Sequence, residues 1–204
     1  LGVLDLSAET VALDATLYDS RILQFTLTGD MALRAGWGRQ PQFVLAIGGF
    51  HPRFAPPPGL PALQRLALQL ADGDSLQLRC QTYLAVTSNT VQFGARVDLH
   101  AAGGGFSFDG LLGFDAILQL APLAFEVEVG AALALRYHGR LLMGISFTGR
   151  LAGPTPWQVE GKASISLLFF SVSVHFSRTF GSTTAPPLPA AVDVVGLIAS
   201  ALAD

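Results

Sequence analysis

The chain has 204 residues, of which 50% are apolar and 13% are charged, and its formal net charge is −3. So little charge on so apolar a chain excludes a disordered polyelectrolyte, and it leaves no basic surface for nucleic acid. The single cysteine, Cys80, excludes an internal disulfide framework and a zinc site built from cysteines alone. We expect one large folded domain or two small ones.

The longest apolar stretches are too interrupted for a membrane-spanning helix. Asp115, Glu126 and Glu128 interrupt residues 111–129, whereas a spanning helix needs about 20 predominantly apolar residues. The sequence begins at Leu1 without the basic segment and apolar core of a secretory signal. We predict no spanning helix, and we favour a cytoplasmic or particle-associated placement while leaving the compartment open.

Apolar residues recur at every second position through most of the first 180 residues, which is the period of a β-strand. The alternation runs through residues 11–17, 23–27, 31–35 and 43–47, stops at a proline-rich segment at 51–61, and resumes at Leu66. Short polar or glycine-containing connections, including Gly103–Gly105, predict sequential antiparallel hairpins. The predicted cross-strand partners are Leu70 with Leu76, Val86 with Val91, Phe114 with Val129, Leu118 with Phe125, Leu133 with Ile145, Leu151 with Trp157, and Ile145 with Ala163.

Two features break the alternation near the C-terminus. The apolar phase shifts between Leu167 and Phe170, which indicates a β-bulge or a strand boundary. Residues 190–203 follow a proline-rich linker and have the apolar spacing of a short amphipathic helix.

The pattern as a whole predicts an all-β fold. We expect an antiparallel meander of about ten to eleven strands, forming a closed or half-closed barrel-like sheet and followed by a short C-terminal helix. Residues 1–182 would form a single domain that contains the proline-rich crossover at 51–61, and residues 183–204 would form the linker and helix.

The segment from Gly48 to Pro58 combines turn-forming residues with aromatic side chains and a cation. It is either a contact loop or a rigid crossover that rejoins two parts of the meander, and we favour the crossover.

The same registers align polar residues on the other face of the sheet. Asp115, Glu128, Arg150 and Gln158 fall into one row across four strands. This row is either a cross-strand ladder in which Arg150 offsets Glu128, or a carboxylate pair for acid–base chemistry or cation binding. We favour the ladder because no histidine is placed to assist, and the alternation predicts that Glu126 is an ordinary solvated charge.

The remaining chemistry-bearing residues lack the spacing of a site. Cys80 alternates in phase with its apolar neighbours, as a small core residue does. We expect no metal, no cofactor and no catalytic residue. The histidines without metal-ligand spacing are His51, His100, His138 and His175.

Four blocks of sequence carry a family resemblance: Gly48–Phe54, Tyr83–Asp98, Gly110–Ala116 and Gly153–Trp157. They resemble a family of very long, β-rich bacterial proteins classed as a domain of unknown function, and the resemblance covers most of residues 40–180. It implies that this chain is a segment of a longer protein and that some of these proteins are associated with phage-tail-like contractile injection gene clusters. It implies no activity and no catalytic residues.

The apolar face predicts a non-enzymatic structural or binding module. Its partner would be lipid, another hydrophobic ligand or neighbouring protein segments. Whether the chain forms an oligomer stays open. Two alternatives are a membrane β-barrel, because apolar and polar residues alternate with the same period there, and a hydrolase-like enzyme that uses Asp115 and Glu128. The residues expected to line the apolar face are Phe114, Phe125, Val127, Leu133, Met143, Phe147 and Trp157.

Overall fold

The computed structural model describes residues 2–7, 9–37, 41–154 and 156–181. These residues form twelve strands in one antiparallel sheet, which confirms the predicted meander. The strands are β1 (Gly2–Asp5), β2 (Thr10–Ile22), β3 (Phe25–Gly36), β4 (Gln42–Ile47), β5 (Leu66–Asp72), β6 (Leu76–Thr87), β7 (Thr90–Gly103), β8 (Phe106–Gln119), β9 (Ala124–Tyr137), β10 (Arg140–Gly153), β11 (Trp157–Leu167) and β12 (Phe170–Phe180).

Strands β4 and β5 occupy a single strand position between β3 and β6. Ile47 at the end of β4 lies opposite Leu84 of β6, and Leu66 at the start of β5 lies opposite Thr82. The chain therefore leaves the sheet after β4 and returns to the same position 18 residues later. We call residues 48–65 the inserted loop, and it contains the crossover predicted at 51–61.

The sheet closes only around this insertion. A closed circuit of hydrogen-bonded strands surrounds it: β3 pairs with β4, β4 pairs with β6, and β5 pairs with both β6 and β3. The rest of the order runs from β1 to β12, and no pairing joins these two strands within the residues that the structure describes. The half-closed form of the prediction is therefore the correct one.

Most predicted registers are confirmed, because short hairpin connections leave little freedom in pairing. The confirmed partners are Val86 with Val91, Phe114 with Val129, Leu118 with Phe125, and Leu133 with Ile145. The phase change before Phe170 is a strand boundary, since Phe170 lies opposite Leu167 across a hairpin.

The predicted register between β10 and β11 is wrong by two residues. Leu151 lies opposite Val159 and not Trp157, and Ile145 lies opposite Ile165 and not Ala163. Trp157 packs edge-on against Phe125 with their ring centroids 5.0 Å apart. The absence of a side chain at Gly153 leaves room for the indole ring, since a Cβ there would lie 3.2 Å from it.

The register predicted between β5 and β6 is also wrong. The pairing shifts between Gln69 and Ala71, so Leu70 has no partner in the ladder, and Ala71 lies opposite Leu78. The amide of Gln69 donates to the carbonyl oxygen of Ala71 at 2.7 Å and stabilises this irregularity.

Fully buried residues are confined to one half of the described chain, between residues 29 and 116. The inserted loop contacts two of them, since Gln92 accepts a hydrogen bond from the His51 N–H and Arg65 lies over the ring of Tyr83. The buried apolar residues are Ala32, Val44, Ala46, Ala67, Tyr83, Ala85 and Ala116. No residue of β9–β12 that the structure describes is fully buried.

Two further expectations concern the C-terminal residues and membrane-spanning helices. The predicted linker and helix in residues 183–204 lie outside the described residues, and the division at residue 182 stays a prediction. Among the described residues, no helix has the length and apolar character needed to cross a membrane.

Candidate functional site

The seven residues predicted to line an apolar face do share one face of the sheet, which we call the apolar face. The registers of β8–β12 place them on the same side, although Trp157 lies opposite Phe180 of β12 and not opposite Leu151. These side chains are not covered. Phe114 and Phe147 are each 37% exposed and Leu133 is 44% exposed, while Phe125 and Val127 are half-buried.

The apolar face continues across the last strand, β12. Its alternate residues Val172, Val174 and Phe176 are exposed, as are all the other residues of this strand. Strands β9 and β11 carry no charged side chain on the apolar face, because every Glu, Arg and Lys within them points to the other side. The structure thus leaves a broad, mostly apolar surface in contact with solvent, on which Arg178 of β12 is a charged residue.

The opposite side of the sheet, which we call the polar face, holds the predicted polar row in a modified form. Asp115, Glu128 and Arg150 are cross-strand neighbours as predicted. Gln158 is not in the row: it lies opposite Ala152, and Glu160 lies opposite Arg150. The error follows from the two-residue shift that the packing of Trp157 produces.

Ion pairs on the polar face differ from the predicted ladder. Arg150 does not offset Glu128; its guanidinium binds Glu126 at 2.6 Å and Glu160 at 3.0 Å. Glu128 instead binds Arg53 of the inserted loop at 2.6 Å, and Arg53 also contacts Glu126. The loop is therefore attached to β9 by charge, and Glu126 is a half-buried bridging residue and not a solvated charge.

A second attachment joins the inserted loop to β6. The guanidinium of Arg65 lies 3.8 Å above the ring of Tyr83, and the Tyr83 hydroxyl donates to Asp115 at 2.9 Å. Burial and the hydrogen bond to Asp115 raise the pKa of Tyr83 well above its usual range. Burial also lowers the pKa of Arg65. Asp115 therefore accepts a hydrogen bond from a phenol that stays protonated.

His51 forms the third attachment and is only 2% exposed. Its backbone N–H donates to Oε1 of Gln92 at 2.9 Å, and Gln92 is fully buried. Its Nδ1 accepts a hydrogen bond from the backbone N–H of Arg53 at 3.2 Å. Burial lowers the pKa of His51, which favours the neutral ring.

A cleft of about 940 Å³ opens on the polar face beside these attachments. Arg65, Tyr83, Asp115, Glu128 and Lys162 are among its lining residues. Several of its charged groups are paired with one another or with the inserted loop. The cleft therefore holds a largely self-neutralised set of charges, and Asp115 and Glu128 have separate partners instead of forming a carboxylate couple.

A band of glycines crosses the floor of this cleft in five neighbouring strands. A Cβ at Gly94 would lie 2.4 Å from the Tyr83 ring and 2.7 Å from the carbonyl oxygen of Phe114. Glycine at this position therefore allows Tyr83 to lie flat on the sheet. The band comprises Gly94, Gly113, Gly130, Gly149 and Gly161.

Sequence reasoning missed the residues that attach the inserted loop. Glu126 follows His51 and Arg53 by more than 70 positions in the chain, and alternation gives only the face on which a strand residue lies and not what covers that face. One available signal was the pair Gly48–Gly49, whose positive φ angles of 70° and 90° turn the chain out of the sheet. A loop leaving a sheet in mid-strand is expected to fold back on one face.

Comparison with known proteins yields a family and no characterised relative. No curated protein and no solved structure matches the chain significantly. A family model described as a family of unknown function, DUF6603, matches residues 1–202. This match spans nearly the whole sequence and agrees with the resemblance found in the sequence. The chain therefore belongs to DUF6603, a family of unknown function.

Proposed function

We propose that this chain is a non-enzymatic structural module whose apolar face packs against another layer of protein. The observation that carries the proposal is the exposed apolar side of β9–β12, where no described residue is fully buried. A sheet with one apolar face is normally stable only when that face is buried against a second layer. The second layer would come from neighbouring protein segments or from another copy of the chain.

The shape of the surface favours a protein layer over a small hydrophobic ligand. The cleft and two further cavities formed by the described residues are lined mainly by residues of the polar face or by loops. Small hydrophobic ligands bind in concave sites, whereas two sheets pack face to face over several strands. The charge on this face supports the same choice. In β9, β11 and β12 the registers place one basic residue on it, Arg178, whereas lipid headgroups are usually held by clusters of basic side chains.

The non-enzymatic part of the proposal is supported by the polar face. Asp115 accepts from Tyr83 and Glu128 binds Arg53, so neither carboxylate is placed as an unengaged acid or base. The association with phage-tail-like injection gene clusters stays a prediction from the sequence resemblance.

The proposal is tested by charge substitution on matched positions of the two faces. We expect the isolated chain to self-associate through its uncovered apolar face. Ile145→Lys and Val174→Lys should weaken self-association at least about a hundredfold, because a lysine would be buried without a partner. The controls Ser146→Lys and Ser173→Lys change neighbouring residues on the polar face. Light scattering after gel filtration, over a range of concentrations, measures the effect.

A chain that stays monomeric at all concentrations and binds no hydrophobic dye would contradict the proposal. Equal effects of the apolar-face and control substitutions would contradict it too. Flotation with phosphatidylcholine vesicles separates the lipid alternative: binding that Val174→Lys abolishes, without self-association, would favour lipid as the partner.

A further inference from the structure

His51 has a ring nitrogen whose bonding is incomplete. The side chain is buried, and its Nε2 has no hydrogen-bond partner among the described residues. A buried polar atom without a partner is costly, so native structures rarely contain one without a reason. The other ring nitrogen, Nδ1, is already engaged by Arg53. This arrangement points to a further group that His51 is positioned to bind.

Two carboxylates of β9 lie next to this ring. Glu126 and Glu128 alternate on the polar face, and one ligand atom from each of these residues and His51 lies within 4.8 Å of the others. An imidazole nitrogen with two carboxylate oxygens is a donor set that suits Zn²⁺ and related divalent transition metals. Three protein ligands leave at least one coordination position for water.

A positive charge already lies between these carboxylates. The guanidinium of Arg53 contacts both Glu126 and Glu128, and its side chain is 49% exposed. It can therefore turn into solvent without crossing packed structure. The two carboxylates thus hold two guanidinium groups, those of Arg53 and Arg150. Arg53 is the more exposed of the two and is the one that can be exchanged for another cation.

Replacing Arg53 with a metal ion would also change the tautomer of the His51 ring. While Nδ1 accepts from the Arg53 backbone, a neutral ring carries its proton on Nε2. A metal ion on Nε2 requires that the proton move to Nδ1, which breaks the hydrogen bond from the Arg53 N–H. Both contacts of Arg53 with the cluster would be lost together, so Arg53 and a metal ion exclude each other.

We propose that His51, Glu126 and Glu128 form a site for a divalent transition-metal ion, which competes with the guanidinium of Arg53. In the metal-bound form the ion links the inserted loop directly to β9, replacing the link that Arg53 provides. The site is independent of the apolar face, which lies on the other side of the sheet.

The test is calorimetric titration of the full chain with Zn²⁺, with Co²⁺ absorption as a second readout. Arg53→Gln should bind Zn²⁺ at least about tenfold more tightly than the unaltered chain, because a competing unit charge is removed. His51→Gln and Glu128→Gln should each weaken binding at least about tenfold. Asp98→Asn, which removes the partner of Arg96 and touches no member of the cluster, should bind as the unaltered chain does.

Two results would overturn the proposal. The first is the absence of binding in both the unaltered chain and Arg53→Gln. The second is unchanged Zn²⁺ affinity in a folded His51→Gln protein, which would place the ion elsewhere. Circular dichroism shows whether His51→Gln folds. If it does not, Arg53→Gln remains a test, because Arg53 is half-exposed. A Zn²⁺ affinity of Arg53→Gln no higher than that of the unaltered chain would contradict competition between Arg53 and the metal ion.

Discussion

At the scale of single residues, buried polar groups attach the inserted loop to the sheet. Gln92 is fully buried, accepts from the His51 backbone at 2.9 Å and donates to Thr90 Oγ1 at 2.8 Å. Both ends of its amide are therefore used. A polar residue with this role cannot be distinguished by alternation from a solvated one, since both lie on the polar side of the strand.

Gln92→Leu should lower the free energy of unfolding by about 1–3 kcal/mol, because the His51 N–H would be buried without an acceptor. Urea unfolding measures the change. The exposed Gln77 lies on the same face of the sheet, and Gln77→Leu should alter stability by less than about 0.5 kcal/mol. Similar losses in the two variants would show that the hydrogen bond to His51 contributes nothing specific.

The sequence predicted the face of each of these residues and not their partners. Glu126 was expected to be solvated, yet its side chain is 17% exposed and meets Arg53 and Arg150. Arg53 is separated from it by 73 positions in the chain. Local periodicity carries no information on contacts across that separation, so the attachment site could not be derived from the pattern.

At the scale of elements, hairpin length predicts register well until a large side chain overrides it. The two-residue connection before Thr90 gives the expected pairing of Val86 with Val91. The loop before Trp157 does not, because the indole packs over Gly153 and against Phe125. Gln158 was placed in the polar row for this reason alone, and its true neighbour could be found only by knowing where the indole lies.

The glycine band gives an element-scale prediction with an internal control. Gly94→Ala should destabilise the domain by about 1–3 kcal/mol, because the added methyl group meets both a ring and a backbone oxygen. Gly130→Ala lies in the same band and meets nothing within 4 Å, so it should be neutral or stabilising by up to about 1 kcal/mol. Thermal melting of both variants compares them; a loss at Gly130 as large as that at Gly94 would contradict the steric explanation.

At the scale of the whole molecule, the sheet has two unlike halves. The half around β3–β8 contains every fully buried residue that the structure describes, and the half from β9 to β12 contains none. Alternation predicted the fold class and the apolar face correctly. It could not predict this asymmetry, because β12 has the same pattern as the covered strands and differs only in what lies beside it.

Hydrogen exchange should reveal this difference between the halves. Backbone amides of β6 and β7 should exchange at least about a hundredfold more slowly than those of β12, since opening free energies follow local burial. Mass spectrometry of peptides from the two regions, after exchange of the intact chain, measures this. Equal protection of β12 would mean that this strand is covered on both its faces and its edge.

The open edge of β12 also bears on how the fold is assembled. β12 presents to solvent, within the described residues, the same kind of backbone donors and acceptors that β11 presents to β12. A further hairpin could therefore pair with the edge of β12 in the way that β12 pairs with β11, and none of the existing strand pairings would need to change. The architecture is extensible: its width is set by the number of hairpins in the chain and not by a requirement for closure.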